Sequence, residues 1–365
     1  MTLSSLPKTV HILLFAVLLS VILYFGAPLL IPLAVAGVLA MLFLPVCRKL
    51  EQWGLGRYVA VTASTLILIA FCAGLFALVT WQISDMADES DRIKAELGKT
   101  VKEVQGFIST RLGIPEDEQK KFIEKEREKN SDVSAMAGRV MSSISGALVN
   151  VIIVLVYLFL MLGMRSHFLR FLLKLAPEGR EAETEKVAVK CTRVVQKYLG
   201  GLALMIVMLW VMYGIGFSIA GVDNAIFFAV LCGLLEIVPF VGNITGTAIT
   251  VIVALTQGDG MGVVVGVVVT YALVQFIQTY IIEPLVVGGE VNLNPFFTIL
   301  ALVVFETIWG VPGMVLAIPL LGMVKIICDH VPALHPYGFL MGKEKKEPSA
   351  FSEKISGIFR KKKDG

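Results

Sequence analysis

The stretch Val10–Val46, VHILLFAVLLSVILYFGAPLLIPLAVAGVLAMLFLPV, contains no Asp, Glu, Lys or Arg. A helix that spans a bilayer needs about 20 apolar residues, so this stretch is too long for one span. Pro28 and Pro32 favour a division into two helices, at about 10–27 and 29–46. A cleaved signal peptide would have a shorter apolar core, and we therefore interpret both helices as retained spans.

The whole chain has the same apolar character. Of its 365 residues, 56% are hydrophobic and 17% are charged, and the mean hydropathy is +0.80. A soluble domain is about 45–50% apolar and about 25% charged. The composition therefore predicts an all-α integral membrane protein with several spans. It argues against a soluble enzyme, a disordered chain and a secreted disulfide scaffold.

Composition changes divide the chain into four regions. Residues 1–82 hold the first three transmembrane helices, the third at about 58–82. Residues 83–145 contain 11 Lys or Arg and 13 Asp or Glu, and we interpret them as an extramembrane amphipathic helical segment. Residues 146–330 form a C-terminal transmembrane transport region, and residues 331–365 form a basic cytoplasmic tail.

The distribution of charge predicts the topology. The loop 165–197 has eight Lys or Arg and four Glu, and an excess of basic residues is typical of cytoplasmic loops. Because about four spans precede this loop, the N-terminus is predicted to be cytoplasmic as well. The basic tail is predicted to lie on the same side.

Two amphipathic segments have more than one interpretation. Ile93, Leu97, Val101, Val104 and Ile108 recur at helical spacing, either in an extramembrane helical hairpin or in an oligomerisation element. In the tail, apolar residues at 351, 355, 358 and 359 accompany a basic run at 360–363. That pattern suits a helix on an anionic membrane surface and equally a solvated tail.

The region Tyr198–Val324 contains no Lys or Arg. Within it, the apolar stretches 225–256 and 296–327 are each interrupted by a glutamate followed by Pro and Gly. Each stretch would form a helix of about 48 Å, longer than the hydrocarbon core of about 30 Å. Either both are long broken helices, giving about eight spans, or both are re-entrant hairpins beside about six spans. The pairing of similar breaks favours the hairpins.

The two interrupting glutamates, Glu236 and Glu306, are our candidates for binding an ion or a proton. A carboxylate in an apolar stretch without a nearby cation can stay protonated, bind a cation or line a wet cavity. Five helix-breaking neighbours are further candidates, because half-helix ends form binding sites in transporters. These are Pro239, Gly242, Asn243, Pro312 and Gly313. The alternatives are a protonated glutamate that caps broken helix ends, and simple proline kinks.

The apolar helix at 261–282 has a polar stripe. At about 100° per residue, Tyr271, Gln275, Gln278, Thr279 and Glu283 fall within an arc of about 140°. Gln275, Gln278 and Glu283 are candidate residues lining a solute path, or else donors and acceptors of interhelical hydrogen bonds. Gly258, Gly262 and Gly266 have the spacing that favours close helix packing.

Motifs for catalysis are missing from the sequence. It has no Walker A motif, no GxSxG motif and no HExxH motif, and its five cysteines have no metal-binding spacing. We therefore expect a protein that is not an enzyme, with no cofactor, no metal and no nucleic-acid partner.

Four motifs in the C-terminal half resemble the autoinducer-2 exporter family of bacterial membrane transporters. They are Glu236–Gly242 (EIVPFVG), Gln278–Pro284 (QTYIIEP), Asn292–Pro295 (NLNP) and Gly310–Pro319 (GVPGMVLAIP). The resemblance implies a multi-pass protein of the bacterial cytoplasmic membrane that exports a small polar solute such as autoinducer-2, or exchanges Na+ for H+. Asn243 stands where many members of that family have proline.

Our interpretation is a transporter driven by an ion gradient, whose partners are the lipid bilayer and a small polar solute, Na+ or H+. We expect it to be a homo-oligomer. The alternative is a membrane scaffold or channel-like protein that recruits partners through its extramembrane helices.

Overall fold

A computed structural model describes residues 8–88, 133–238, 241–256, 261–286 and 292–343. Helices form all the regular secondary structure of these residues, and the predicted all-α class is confirmed. The helices are α1 (Lys8–Phe25), α2 (Ala27–Gln52), α3 (Arg57–Asp88), α4 (Val133–Leu175), α5 (Glu181–Ala220), α6 (Ala225–Leu235), α7 (Val241–Thr256), α8 (Met261–Ile277), a π-helical segment (Gln278–Ile282), α9 (Glu283–Val286), α10 (Pro295–His330), a 3-10 turn (Pro332–Leu334) and α11 (His335–Met341). The stripe at 93–108, Pro239 and the tail pattern at 351–363 lie outside the described residues.

Six helical stretches of the described chain are long and apolar enough to cross a membrane. They are Ala27–Gln52, Arg57–Leu78, Val149–Leu175, Glu181–Ala220, Gly262–Ile282 and Pro295–His330. The last of these is broken at Gly310, as described below. The apolar stretch of α1, Val10–Phe25, is shorter, and its predicted span stays a prediction. The sequence predicts that the first apolar stretch divides at about residues 27–29. The structure places the division at Gly26, the one residue between α1 and α2. Pro28 lies in the first turn of α2, where no backbone N–H is needed, and Pro32 is accommodated inside that helix.

Helix α5 is central and contacts α2, α6, α8 and α10. Its contact with α8 is close, because a Cβ atom at Gly266 would lie 2.6 Å from Cβ of Ala220. Gly266 therefore has the packing role that the sequence predicts. Gly262 does not share that role, since no described atom lies within 4 Å of its Cβ position, and Gly258 is not described.

The stretch 225–256 folds back on itself. Sγ of Cys232 lies 3.6 Å from Oγ1 of Thr250, and a Cβ atom at Gly246 would lie 3.1 Å from Cα of Cys232. In one straight helix, residues 232 and 250 would be about 27 Å apart. Helices α6 and α7 therefore form two arms of a hairpin, which we call hairpin 1.

The long helix α10 is also a hairpin. Gly310 has φ 62° and ψ −145°, and there the chain reverses. Leu293, before the helix, is buried in one cluster with Cys328, near its end. The backbone N–H of Asn294 donates to the carbonyl oxygen of Met341 (2.8 Å), which ties the start of α10 to α11, and Met341 belongs to the same buried cluster. We call residues 295–330 hairpin 2.

Both hairpins reverse with the same close approach. A Cβ atom at Gly242 would overlap the carbonyl oxygen of Leu235, and one at Gly313 would overlap that of Phe305. Each carbonyl belongs to the residue directly before the interrupting glutamate. The weak resemblance between the two stretches therefore has a structural basis in two similar reversals.

The hairpins are attached to opposite ends of α8. The Cβ position of Gly221, before hairpin 1, lies 3.9 Å from a methyl group of Val263 at the start of α8. Hairpin 2 follows the other end of α8 in the chain. If α8 crosses the bilayer, the hairpins enter from opposite faces, as in inverted repeats around a transport site.

The reversal at Gly310 gives a stability prediction. Its backbone angles lie in a region that side chains disfavour, so we expect Gly310→Ala to cost about 1–3 kcal/mol through backbone strain alone. No described atom lies within 4 Å of its Cβ position, so crowding does not contribute. The measurement is the thermal unfolding midpoint in detergent, with Gly262→Ala as the control. Equal midpoints for the two variants would contradict the strained reversal.

Candidate functional site

The candidate site lies at the tip of hairpin 1. Helix α6 ends at Leu235, and Glu236 is its C-cap residue, with φ −60° and ψ −17°. The Glu236 side chain is half-buried. One carboxylate oxygen accepts a hydrogen bond from Nε2–H of Gln278, with 2.7 Å between the two heavy atoms. The sequence singled out both residues, and the structure brings them together.

Gln278 begins the π-helical segment that ends α8, and it is 4% exposed. Its Oε1 atom is buried and has no hydrogen-bond partner among the described residues. A buried oxygen without a donor is costly. A proton on Glu236 or a bound cation would supply the missing partner, so the carboxylate and this amide oxygen form a small set of acceptors suited to a cation.

The surroundings of Glu236 are apolar and contain no basic side chain from its own region, since Tyr198–Val324 has no Lys or Arg. The phenols of Tyr213 and Tyr271 and the thiol of Cys232 lie within electrostatic range of its carboxylate. Tyr213 is 1% exposed and stacks on Phe217 with 5.3 Å between ring centroids. The Glu283 carboxylate also lies within electrostatic range, and the hydrogen bond from Gln278 holds the Glu236 side chain.

The predicted polar stripe does not face one surface. Gln278 is buried and Gln275 is half-buried, whereas Glu283 is exposed. Nε2–H of Gln275 donates to Oγ1 of Thr279 along the same helix (3.2 Å). The π-helical segment changes the angle per residue after Ile277, so the α-helical projection fails there. Gln275 and Glu283 stay predictions as lining residues.

The structure places Glu306 in a different environment from Glu236. Glu306 is exposed and lies on the first arm of hairpin 2, which packs on α2 and α5. Hairpin 1 packs on α5 and α8. The sequence treated the two glutamates as equivalent candidates, whereas the structure gives Glu236 a half-buried side chain with a hydrogen bond from Gln278 and leaves Glu306 exposed.

The helix-breaking candidates mark the two reversals. Gly242 and Gly313 are buried at the close approaches described above. Pro312 is exposed in hairpin 2, and Asn243 lies in the first turn of α7. Pro239 lies outside the described residues. The glycines therefore shape the tips, and Glu236 with Gln278 supplies the polar atoms.

One polar contact at the second tip was missed by the sequence reasoning. Nε1–H of Trp309 donates to the backbone carbonyl of Leu23, 2.9 Å away. The position of Trp309, directly before the reversal at Gly310, was the available signal. No group of three or more His, Cys, Asp or Glu side chains in the described ranges is arranged to hold a metal ion.

Comparisons with known proteins identify the family of this chain. Residues 13–333 match the model of the AI-2E family transporter. A Bacillus subtilis protein named "Putative transport protein YueF" is 26% identical over 320 residues, covering 82% of this chain and 84% of its own. An Escherichia coli protein named "Putative permease PerM" is 24% identical over 336 residues, covering 89% and 94%.

A third relative, from Haemophilus influenzae, is 24% identical over 322 residues and covers 87% of this chain and 91% of its own. Its name is again "Putative transport protein". The residues matched by the family model include 225–256, 295–330, Glu236 and Gln278. This chain is therefore a multi-pass membrane protein that belongs to the AI-2E family of transporters.

Proposed function

We propose that this transporter couples the movement of H+ or Na+ to the transport of a small polar solute, with the Glu236 carboxylate as the coupling group. The observation that carries the proposal is the Glu236–Gln278 hydrogen bond at the tip of hairpin 1. It joins a half-buried acid to a buried amide whose oxygen is free to accept.

The energetic argument starts from the cost of a charge in an apolar site. An unpaired carboxylate in the membrane costs roughly 2.5–3.5 kcal/mol on insertion scales. Either a proton or a Na+ ion removes that cost, and the two compete for the same oxygen atoms. A site of this kind therefore responds to both pH and Na+, which is the property that an ion-coupled transporter needs.

The position of the site supports the same proposal. Glu236 caps one half-helix, and α7 begins a few residues later at Val241. Half-helix ends that meet inside the membrane place backbone dipoles at substrate and ion sites in transporters. Solute export and Na+/H+ exchange would both use this arrangement, and both belong to the proposal. The predicted homo-oligomer belongs to it as well.

The experiment measures flux in proteoliposomes that contain the full chain. In liposomes that contain the wild-type protein, we expect an imposed Na+ gradient to drive H+ movement, and an imposed pH gradient to drive Na+ movement. Protein-free liposomes should show neither flux. Fluorescent reporters of internal pH and of Na+ give the readout. Flux of neither ion under any imposed gradient, with a folded protein, would contradict the proposed coupling.

Gln278→Leu is the matched test of the site. Interactions of a polar group with a charged partner contribute about 1.5–3 kcal/mol, and this substitution removes the Oε1 acceptor, so we expect the apparent affinity for Na+ to fall about tenfold or more. The control is Gln196→Leu, which makes the same change at a half-buried glutamine of α5 whose Nε2–H donates to the carbonyl oxygen of Met41 (2.8 Å). Equal effects of the two variants on ion affinity would exclude a special role for Gln278.

A further inference from the structure

The tip of hairpin 2 is attached to the N-terminal helices by one side chain. Trp309 directly precedes Gly310, the residue at which α10 reverses. Its indole Nε1–H donates to the carbonyl oxygen of Leu23, across 286 positions of sequence. The ring also makes an edge contact with Phe305, with 5.9 Å between centroids. The tip therefore has a fixed partner outside its own hairpin.

Leu23 can accept this bond because α1 ends there. Leu23 lies in the last turn of α1, and Gly26 separates that turn from α2. The carbonyls of a last helical turn have no donor within their own helix. Across the junction, the backbone N–H of Gly26 donates to the carbonyl oxygen of Ile22 (2.8 Å). The carbonyl oxygen of Gly26 accepts from the backbone N–H of Leu30 (2.8 Å). The kink between α1 and α2 thus exposes one carbonyl that the indole reaches.

We propose that Trp309 is a positioning residue that holds the tip of hairpin 2 against the α1–α2 kink. In an apolar environment a free carbonyl and a free indole N–H are both costly, so the tip stays attached while nothing replaces the bond. Movement of the tip requires this bond to break. The proposal does not depend on which ion or solute is carried.

The contact that holds the tip of hairpin 1 differs in chemistry from the contact at hairpin 2. Its tip is held by the Glu236–Gln278 contact, which a proton or a cation can change. The contact at hairpin 2 joins an indole to a backbone carbonyl, and neither group titrates in the physiological range. The tip of hairpin 1 is therefore held by an ion-sensitive contact, and the tip of hairpin 2 by a contact that ions do not change. In this proposal α1 is the fixed support of hairpin 2.

The competing explanation is simple packing by the indole ring. Trp309 packs against the buried cluster of Val38, Val195 and Leu316. Two substitutions separate the ring from its N–H group. Trp309→Phe removes the donor and part of the ring. Replacement of Trp309 by 3-benzothienylalanine puts sulfur in place of the N–H and keeps the ring size.

The experiment is electron paramagnetic resonance distance measurement on the full chain in lipid nanodiscs, in a cysteine-free background. Spin labels at Val17→Cys on α1 and Val311→Cys in hairpin 2 use exposed positions. With the isostere we expect the fraction of molecules outside the main distance peak to rise about fivefold, the equivalent of about 1 kcal/mol for one hydrogen bond. Trp309→Phe should give at least the same rise.

The control is Trp210→Phe, which removes the indole bond from α5 to Val230 of hairpin 1 (3.1 Å). It should leave the distance distribution between Val17 and Val311 unchanged. An unchanged distribution in the isostere would overturn the proposal, even if Trp309→Phe broadens it, because ring packing would then hold the tip. An equal broadening by Trp210→Phe would overturn it as well.

Discussion

Glu236→Gln is expected to abolish ion-coupled transport in a protein that still folds. Glutamine has the shape of the protonated acid and can keep a hydrogen bond with Gln278, but it neither releases a proton nor carries charge. We expect coupled flux to fall at least about 100-fold, the equivalent of about 2.8 kcal/mol of ion binding. Proteoliposome flux at several pH values and Na+ concentrations measures the effect.

Glu306→Gln is the matched comparison, because it makes the same chemical change at an exposed glutamate in the corresponding hairpin. The sequence alone predicts a strong loss for both variants, and the structure ranks Glu236 first because of its burial and its contact with Gln278. Full flux with unchanged pH and Na+ dependence in Glu236→Gln would remove this residue from the mechanism. Loss of function only on deletion within 83–145 would favour the scaffold interpretation.

The second large effect concerns the membrane topology, and its outcome is all-or-none. With re-entrant hairpins, the start of α8 faces the outside and the residues before α10 face the cytoplasm. Gly262→Cys should then react with an impermeant thiol reagent from outside, and Asn292→Cys from the cytoplasm. Both residues are exposed. With eight complete spans, both labelling patterns would be reversed.

Two further cysteines calibrate that measurement, in a background without the five native cysteines. Asp223→Cys follows α5 and should label from outside in either arrangement. Glu178→Cys lies in the loop between α4 and α5, within the basic segment 165–197, and should label from the cytoplasm in either arrangement. Labelling of Gly262→Cys from the cytoplasm would mean that 225–256 crosses the membrane, despite its fold-back.

The breaks in both hairpins could be predicted from sequence because their causes are local. Glutamate, proline and glycine in the middle of an apolar stretch are incompatible with one uninterrupted span. Such local signals locate a break but not its angle. The reversal itself is established by distant pairs, such as Cys232 with Thr250, which no sequence pattern encodes.

Other features depend on backbone geometry that residue types do not reveal. The π-helical segment at Gln278–Ile282 rotates the polar stripe, so an α-helical projection could not tell that Gln278 is buried and Glu283 exposed. The break at Gly26 rather than at the nearby prolines has a similar origin, because Pro28 fits the first turn of α2. The Trp309–Leu23 bond uses a backbone carbonyl, which has no sequence signature.

The most direct test of Glu236 as the coupling group is infrared difference spectroscopy of the purified protein, with Na+ added or the pH raised. A protonated carboxyl group has a C=O stretch that disappears when the proton leaves. We predict a negative C=O band on addition of Na+ or base in the wild-type protein, and its loss in Glu236→Gln. The same band at full size in Glu236→Gln would show that another group exchanges protons for Na+, and would contradict the role of Glu236.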